Sequence, residues 1–111
     1  MFARVTTIQG QPGRTASPEL TERVTATLQK LPGFKGVYVL TDQNTGEGLG
    51  ISFWETEQDA KALDQSVAPL REEGAREVGA TAAPTSKVYE VTDAGAHPDE
   101  VLADLQGLTV A

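Results

Sequence analysis

Three observations predict an α+β domain of ferredoxin-like topology, with a four-stranded antiparallel sheet carrying two helices on one face. Four short β-rich segments fall at about residues 2–8, 37–41, 48–54 and 87–91. Two longer stretches between them place apolar residues at helical spacing. The resulting order is β-α-β-β-α-β.

Phe2–Ile8 is apolar and β-rich, and Gln9-Gly10-Gln11-Pro12-Gly13 closes it as a turn. Ser17 then caps a helix with Pro18 at its first position, where the missing N–H is harmless. Leu20, Val24, Leu28 and Leu31 form one buried stripe, and Pro32-Gly33 stops it. Val37–Thr41 is the second strand, and the polar turn Asp42–Glu47 leads into the third, Gly48–Trp54, so the two pair as a hairpin. Thr56, with Asp59 three residues on, opens the second helix in a capping-box-like pattern. Its stripe is Ala60, Leu63, Val67 and Leu70, and Pro69 is expected to kink or split it by removing one backbone donor. Gly79 ends it, and Lys87–Val91 is the fourth strand. The pairs Glu19/Arg23, Glu57/Lys61 and Glu72/Arg76 sit four apart and mark solvated helix faces.

A chain of 111 residues makes one domain, able to bury about 60–70% of its extended surface. The domain is placed at 1–93, followed by a tail at 94–111 with a short helix over 98–106. No apolar run approaches the ~20 residues of a membrane helix, and the first eight residues read as a strand rather than a signal peptide. A cytoplasmic location is the expectation. Absence of cysteine excludes disulfides, thiolate metal sites and a cysteine nucleophile. A formal net charge of −7 opposes long-range attraction to nucleic acid or anionic membranes. Two helices cover one face of a four-stranded sheet and leave the other bare. A second copy of the chain is the natural cover, so a homodimer through the sheet face is expected.

Three pieces of sequence carry a resemblance. They are Ala3-Arg4-Val5-Thr6-Thr7 with Pro12-Gly13 after it, Leu31-Pro32-Gly33-Phe34, and Trp54-Glu55-Thr56-Glu57-Gln58-Asp59-Ala60, with Val88-Tyr89-Glu90-Val91 closing. In this order and spacing the chain resembles the antibiotic biosynthesis monooxygenase-like (ABM) domains of the dimeric α/β-barrel superfamily, over residues 2–92. The resemblance implies a homodimer with sheets packed face to face and a pocket between sheet and helices in each subunit. Some members of that family oxidise aromatic polyketides without metal or flavin, and others degrade haem. Haem-degrading members use a histidine in the second helix and an asparagine on the first strand. Here Leu63 stands nine residues after Trp54, and the first strand offers only Arg4, Thr6 and Thr7 as polar residues, which disfavours haem.

Five residues are candidates for binding substrate. Trp54, the only tryptophan, is either an aromatic wall whose indole N–H meets a ligand or a packing residue anchoring strand to helix. Arg4, on one strand face with Thr6 and Ile8, either stabilises an enolate or phenolate or pairs with Glu90 or Glu55. Tyr38 and Tyr89 either orient a substrate hydroxyl or pack with one satisfied hydroxyl. Ser52, between Gly50 and Trp54 on the same strand face, leaves room for a ligand or allows close packing.

His97, in Ala96-His97-Pro98-Asp99-Glu100, reads as a helix cap or an exposed residue rather than a metal ligand. A single histidine without cysteine makes a Ser-His triad or a zinc site hard to build. The Gly-rich Thr45–Gly50 precedes a strand, so it lacks the helix N-terminus a phosphate loop needs. No cofactor, metal or catalytic base stands out. The expected function is a dimeric binder of a small hydrophobic or aromatic metabolite. The alternatives are a cofactor-independent monooxygenase of an aromatic or polyketide-like substrate, and a structural or interaction module.

Overall fold

A computed structural model describes residues 1–93 and has the expected order of elements, with the second helix present as two. The strands are β1 (Phe2–Gln9), β2 (Phe34–Thr41), β3 (Glu47–Trp54) and β4 (Thr85–Glu90). The helices are α1 (Pro18–Gln29), α2 (Glu57–Ala62) and α3 (Asp64–Glu77). All pairings are antiparallel in the order β2-β3-β1-β4, the ferredoxin-like arrangement. The tail helix expected over 98–106 and the surroundings of His97 lie outside the described residues. Among the described residues no helix is long and apolar enough to cross a membrane.

Local chemistry places the elements. The Ser17 hydroxyl accepts the Leu20 N–H at 3.1 Å and Thr56 accepts that of Asp59 at 3.1 Å, each satisfying an orphan donor at a helix start. In the hairpin, Asp42 Oδ1 accepts from the backbone N–H of Asn44 and Thr45, which bends the chain back on itself. β2 begins three residues earlier than expected, at Phe34, because a bulge between Phe34 and Gly36 lets the chain enter the ladder directly from the Pro32-Gly33 stop.

The helix break differs from expectation. Pro69 lies inside α3, and the interruption falls at Leu63. Pro69 lacks the N–H that would bond the carbonyl of Gln65, yet α3 runs on through both residues, so the lost bond does not divide the helix. The N–H groups of Ser66 and Val67 both donate to Leu63 O at 3.1 Å, which holds the two helices together across the corner.

The core lies between sheet and helices. Leu28, Trp54, Ala60, Leu63 and Val67 are buried together, with Phe2, Val24, Leu31, Phe34, Val37 and Val88 packed against them. Burial of each large aliphatic side chain stabilises by about 1.5–3 kcal/mol before ordering losses. Register puts every strand member of this cluster on the helix side of the sheet. The intervening residues Val5, Ile51, Phe53, Tyr38 and Tyr89 point to the opposite side. There the Tyr38 and Phe53 rings meet edge to face at 5.9 Å, and the Lys87 ammonium sits 5.2 Å from the centre of the Tyr89 ring, which is half exposed.

The β1–α1 and β2–β3 loops touch through their backbones. Gly10 N–H donates to Gly46 O at 2.9 Å, and Gly13 N–H donates to Gln43 O at 2.9 Å. Gly46 has φ +82°, and a Cβ there would lie 2.4 Å from the Gly10 carbonyl oxygen. Gly13 has φ +78° but open space around it. Gly13→Ala should therefore cost only the ~1–2 kcal/mol of a left-handed non-glycine residue. Gly46→Ala should cost about 3 kcal/mol or more, since backbone must move as well. Urea denaturation of the two variants checks this, and equal losses would show that the loop contact contributes nothing.

Candidate functional site

The helix-side face of β3 carries Gly48, Gly50 and Ser52 in succession, so the middle of the sheet presents almost no side chain to the helices above it. No atom lies within 4 Å of where a Cβ on Gly50 would stand. Bulkier neighbours flank this trough, with Val37 and Val39 on β2 and Arg4, Thr6 and Ile8 on β1. Above it, α1 contributes Leu20, Val24 and Leu28, and the α2–α3 corner and α3 contribute Leu63, Val67 and Leu70. The elements cannot close the gap, and a cavity of about 190 Å³ remains between sheet and helices. An engineered apolar cavity of about 150 Å³ holds benzene, so this one suits a body of one or two rings.

Trp54 closes one end. It is fully buried, stacked edge-on against Phe34 at 5.5 Å, and its indole N–H donates to Ser52 Oγ at 2.8 Å. Ser52 separates the indole from the cavity and lines it, whereas Trp54 does not. Beside Ser52 in the register, Arg4 turns inward and is 6% exposed. Its Nη1 donates to Ala60 O at 3.3 Å, one of the carbonyls left over at the end of α2. A guanidinium suits that negative helix end. Of the acids considered as its partners, Glu55 lies 3.9 Å from Lys35.

Of the five candidates, the fold thus brings Arg4 and Ser52 together at the closed end and puts Trp54 directly behind them. Tyr38 and Tyr89 lie on the opposite face of the sheet, paired in register with Ile51 and Ala3. Two further arginines line the cavity that no motif singled out, Arg14 after the β1 turn and Arg71 on α3. The signal for Arg71 was its position four residues after Val67, which continues the stripe begun at Leu63.

The cavity's hydroxyls are mostly committed to the protein. Thr21 and Thr25 donate back to the carbonyls of Ser17 and Thr21 at 3.2 and 3.0 Å, and Thr6 Oγ1 shares a hydrogen bond of 2.8 Å with Ser86. Among the described residues, no histidine, carboxylate, lysine or tyrosine lines the space, and no cluster of ligating side chains could hold a metal ion. The arrangement offers an apolar container and positive charge. It offers no side chain suited to abstract a proton at neutral pH. Away from the cavity, Arg23 on α1 pairs with Glu73 on α3, and that hydrogen bond raises the Arg23 pKa above its usual value.

No family model matches the chain. An uncharacterised protein of Mycobacterium tuberculosis is 32% identical over 106 residues, which are 94% of this chain and 46% of that protein. The chain spans less than half the length of the curated relatives it matches. Among solved structures, a monooxygenase of Streptomyces coelicolor in complex with the ligand nanaomycin D superposes with a TM-score of 0.62, covering 86% of this chain and 91% of that one at 19% identity. SnoaB, a cofactor-independent oxygenase of Streptomyces nogalater, superposes with a TM-score of 0.63 at 13% identity, covering 86% and 97%. The chain has the fold of the ABM domains.

Ser52→Ala should leave the buried indole N–H of Trp54 without its acceptor. A loss of about 1–3 kcal/mol in unfolding free energy is expected. It should come with a shift in the emission of this sole tryptophan. Unchanged stability and emission would mean that the 2.8 Å bond is not held in solution.

Proposed function

We propose that the protein binds a small hydrophobic or aromatic metabolite in the cavity between its sheet and helices. The observation that carries this reading is the trough made by Gly48 and Gly50, which keeps about 190 Å³ open inside an otherwise packed domain. A mostly apolar cavity with a few convergent polar groups is the usual form of a ligand site. Gly50→Val should fill it without disturbing the sheet, because the space above Gly50 is empty and valine favours strands. Calorimetric titration with hydroxylated benzenes and naphthalenes should give saturable binding to the native protein and at least tenfold weaker binding to Gly50→Val. Equal binding by both would place the ligand elsewhere, and no binding by the native protein across the panel would remove this reading.

A second reading is a cofactor-independent monooxygenase, favoured by the shared fold with the oxygenases of the two Streptomyces species. Fold alone carries activity only by analogy. In that reading the substrate arrives as an electron-rich phenolate and itself reduces oxygen, while the cavity supplies a water-poor space and the Arg4 charge. Oxygen uptake with the same panel separates the two, since binding without uptake supports a binding module.

We also propose that two copies pair through the second sheet face. Ile51 and Phe53 at its centre, with Val5 and Tyr38 beside them, make an apolar surface of the kind that monomers seldom leave in water. Sedimentation at micromolar concentration should give about twice the chain mass. Ile51→Glu should give a monomer, because an unpaired carboxylate cannot be buried there without large cost. A native monomer would count against the pairing.

A further inference from the structure

The chain carries 16 acidic and 9 basic side chains, so an average patch of its surface is negative. The cavity reverses this. Arg4, Arg14 and Arg71, three of the five arginines, line it, and no Asp or Glu does among the described residues. Three basic residues elsewhere sit beside acids, Arg23 with Glu73, Lys61 with Glu57 and Lys35 with Glu55.

The three arginines are also spread along the length of the cavity. Arg4 faces Ser52 at the closed end. Arg71 lies about two turns of α3 beyond Leu63. Arg14 stands at the open end, where its Nη2 donates to the carbonyl of Glu77 at the end of α3. Four residues of strand between Arg4 and Ile8 separate the two ends by about 13 Å. Arg4 and Arg71 also make contacts within the protein.

Every cation here is an arginine and none a lysine, which matters for what binds. The planar guanidinium fork matches a carboxylate, and a buried position such as that of Arg4 strengthens charge attraction relative to water.

We infer that the cavity selects apolar acids, flat hydrophobic bodies carrying a carboxylate or similarly acidic group, over neutral molecules of the same shape. This rests on the binding reading above and names the ligand class for that site. The test is calorimetry of the full chain at neutral pH with naphthalene-2-carboxylate and its neutral twin, naphthalene-2-carboxamide. The acid should bind at least about tenfold more tightly, equivalent to ~1.4 kcal/mol. Arg4→Met should bring the two affinities together, chiefly by weakening the acid, and Arg4→Lys should keep part of the preference.

Arg4→Met could lose its fold along with its bond to Ala60. Arg14→Gln and Arg71→Gln, at the open end and on α3, therefore serve as second variants, each expected to weaken the acid several-fold and leave the amide unchanged. Equal affinity of acid and amide for the native protein overturns the inference while leaving the cavity reading standing. A preference that survives all the arginine variants overturns it as well. Failure of both probes counts against the inference, and only silence of the hydroxylated panel too would take the cavity reading with it.

Discussion

At one end of the sheet the helices pack on the buried Trp54 ring, whose indole N–H is satisfied by Ser52. An indole can be fully enclosed at low cost only if its N–H finds an acceptor. Ser52 supplies one from two residues earlier on the same strand face. With that satisfied, the ring becomes the largest fully buried side chain, and Phe34, Ala60 and Leu63 pack around it. The ring props the helix layer at a fixed height at one end of β3. Along the same strand, Gly50 and Gly48 provide nothing to reach that height. The cavity is the space left between a tall end and a bare middle.

Much of the architecture was legible because its signals are local. Ser17 and Thr56 announce helix starts within four residues, and Asp42 announces a hairpin. Other features are set by pairing between distant segments. Whether Tyr89 faces the helices depends on its register with Ala3, more than eighty residues away, and β-rich sequence alone does not fix that parity. The helix break falls at Leu63 and not at Pro69, because α3 absorbs the one donor that proline removes, which the sequence does not announce. Of the candidate site, Arg4 and Ser52 could be seen because Ser52 shares a strand face with small residues and Arg4 shares one with Thr6. Arg14 could not, because a loop residue has no periodicity, and the only sign of Arg71 was its place four residues after Val67, easily read as solvated charge.

The distribution of charge gives the chain two different electrostatic characters. Its exterior is acidic, and the i,i+4 pair Glu57–Lys61 and the Arg23–Glu73 bridge between helices are typical of solvated surface, contributing little to stability. Its interior cavity is mostly apolar, and the charged residues that line it are all arginines. An acidic exterior slows the approach of anions at low salt, while positive charge in the cavity lining would attract them at close range. On the binding reading, that contrast would disfavour a charged molecule without an apolar body.

The clamps that join the loops at the open end of the cavity use main-chain atoms. Gly10, Gly13 and Gln11 donate backbone N–H groups to the carbonyls of Gly46, Gln43 and Val78. Side chains add to these clamps, since Gln9 and Gln11 donate through Nε2 to the carbonyls of Thr45 and Gly79. The backbone clamps would hold the rim through a change at Arg14, which would remove one charge from the cavity lining and one bond to the end of α3.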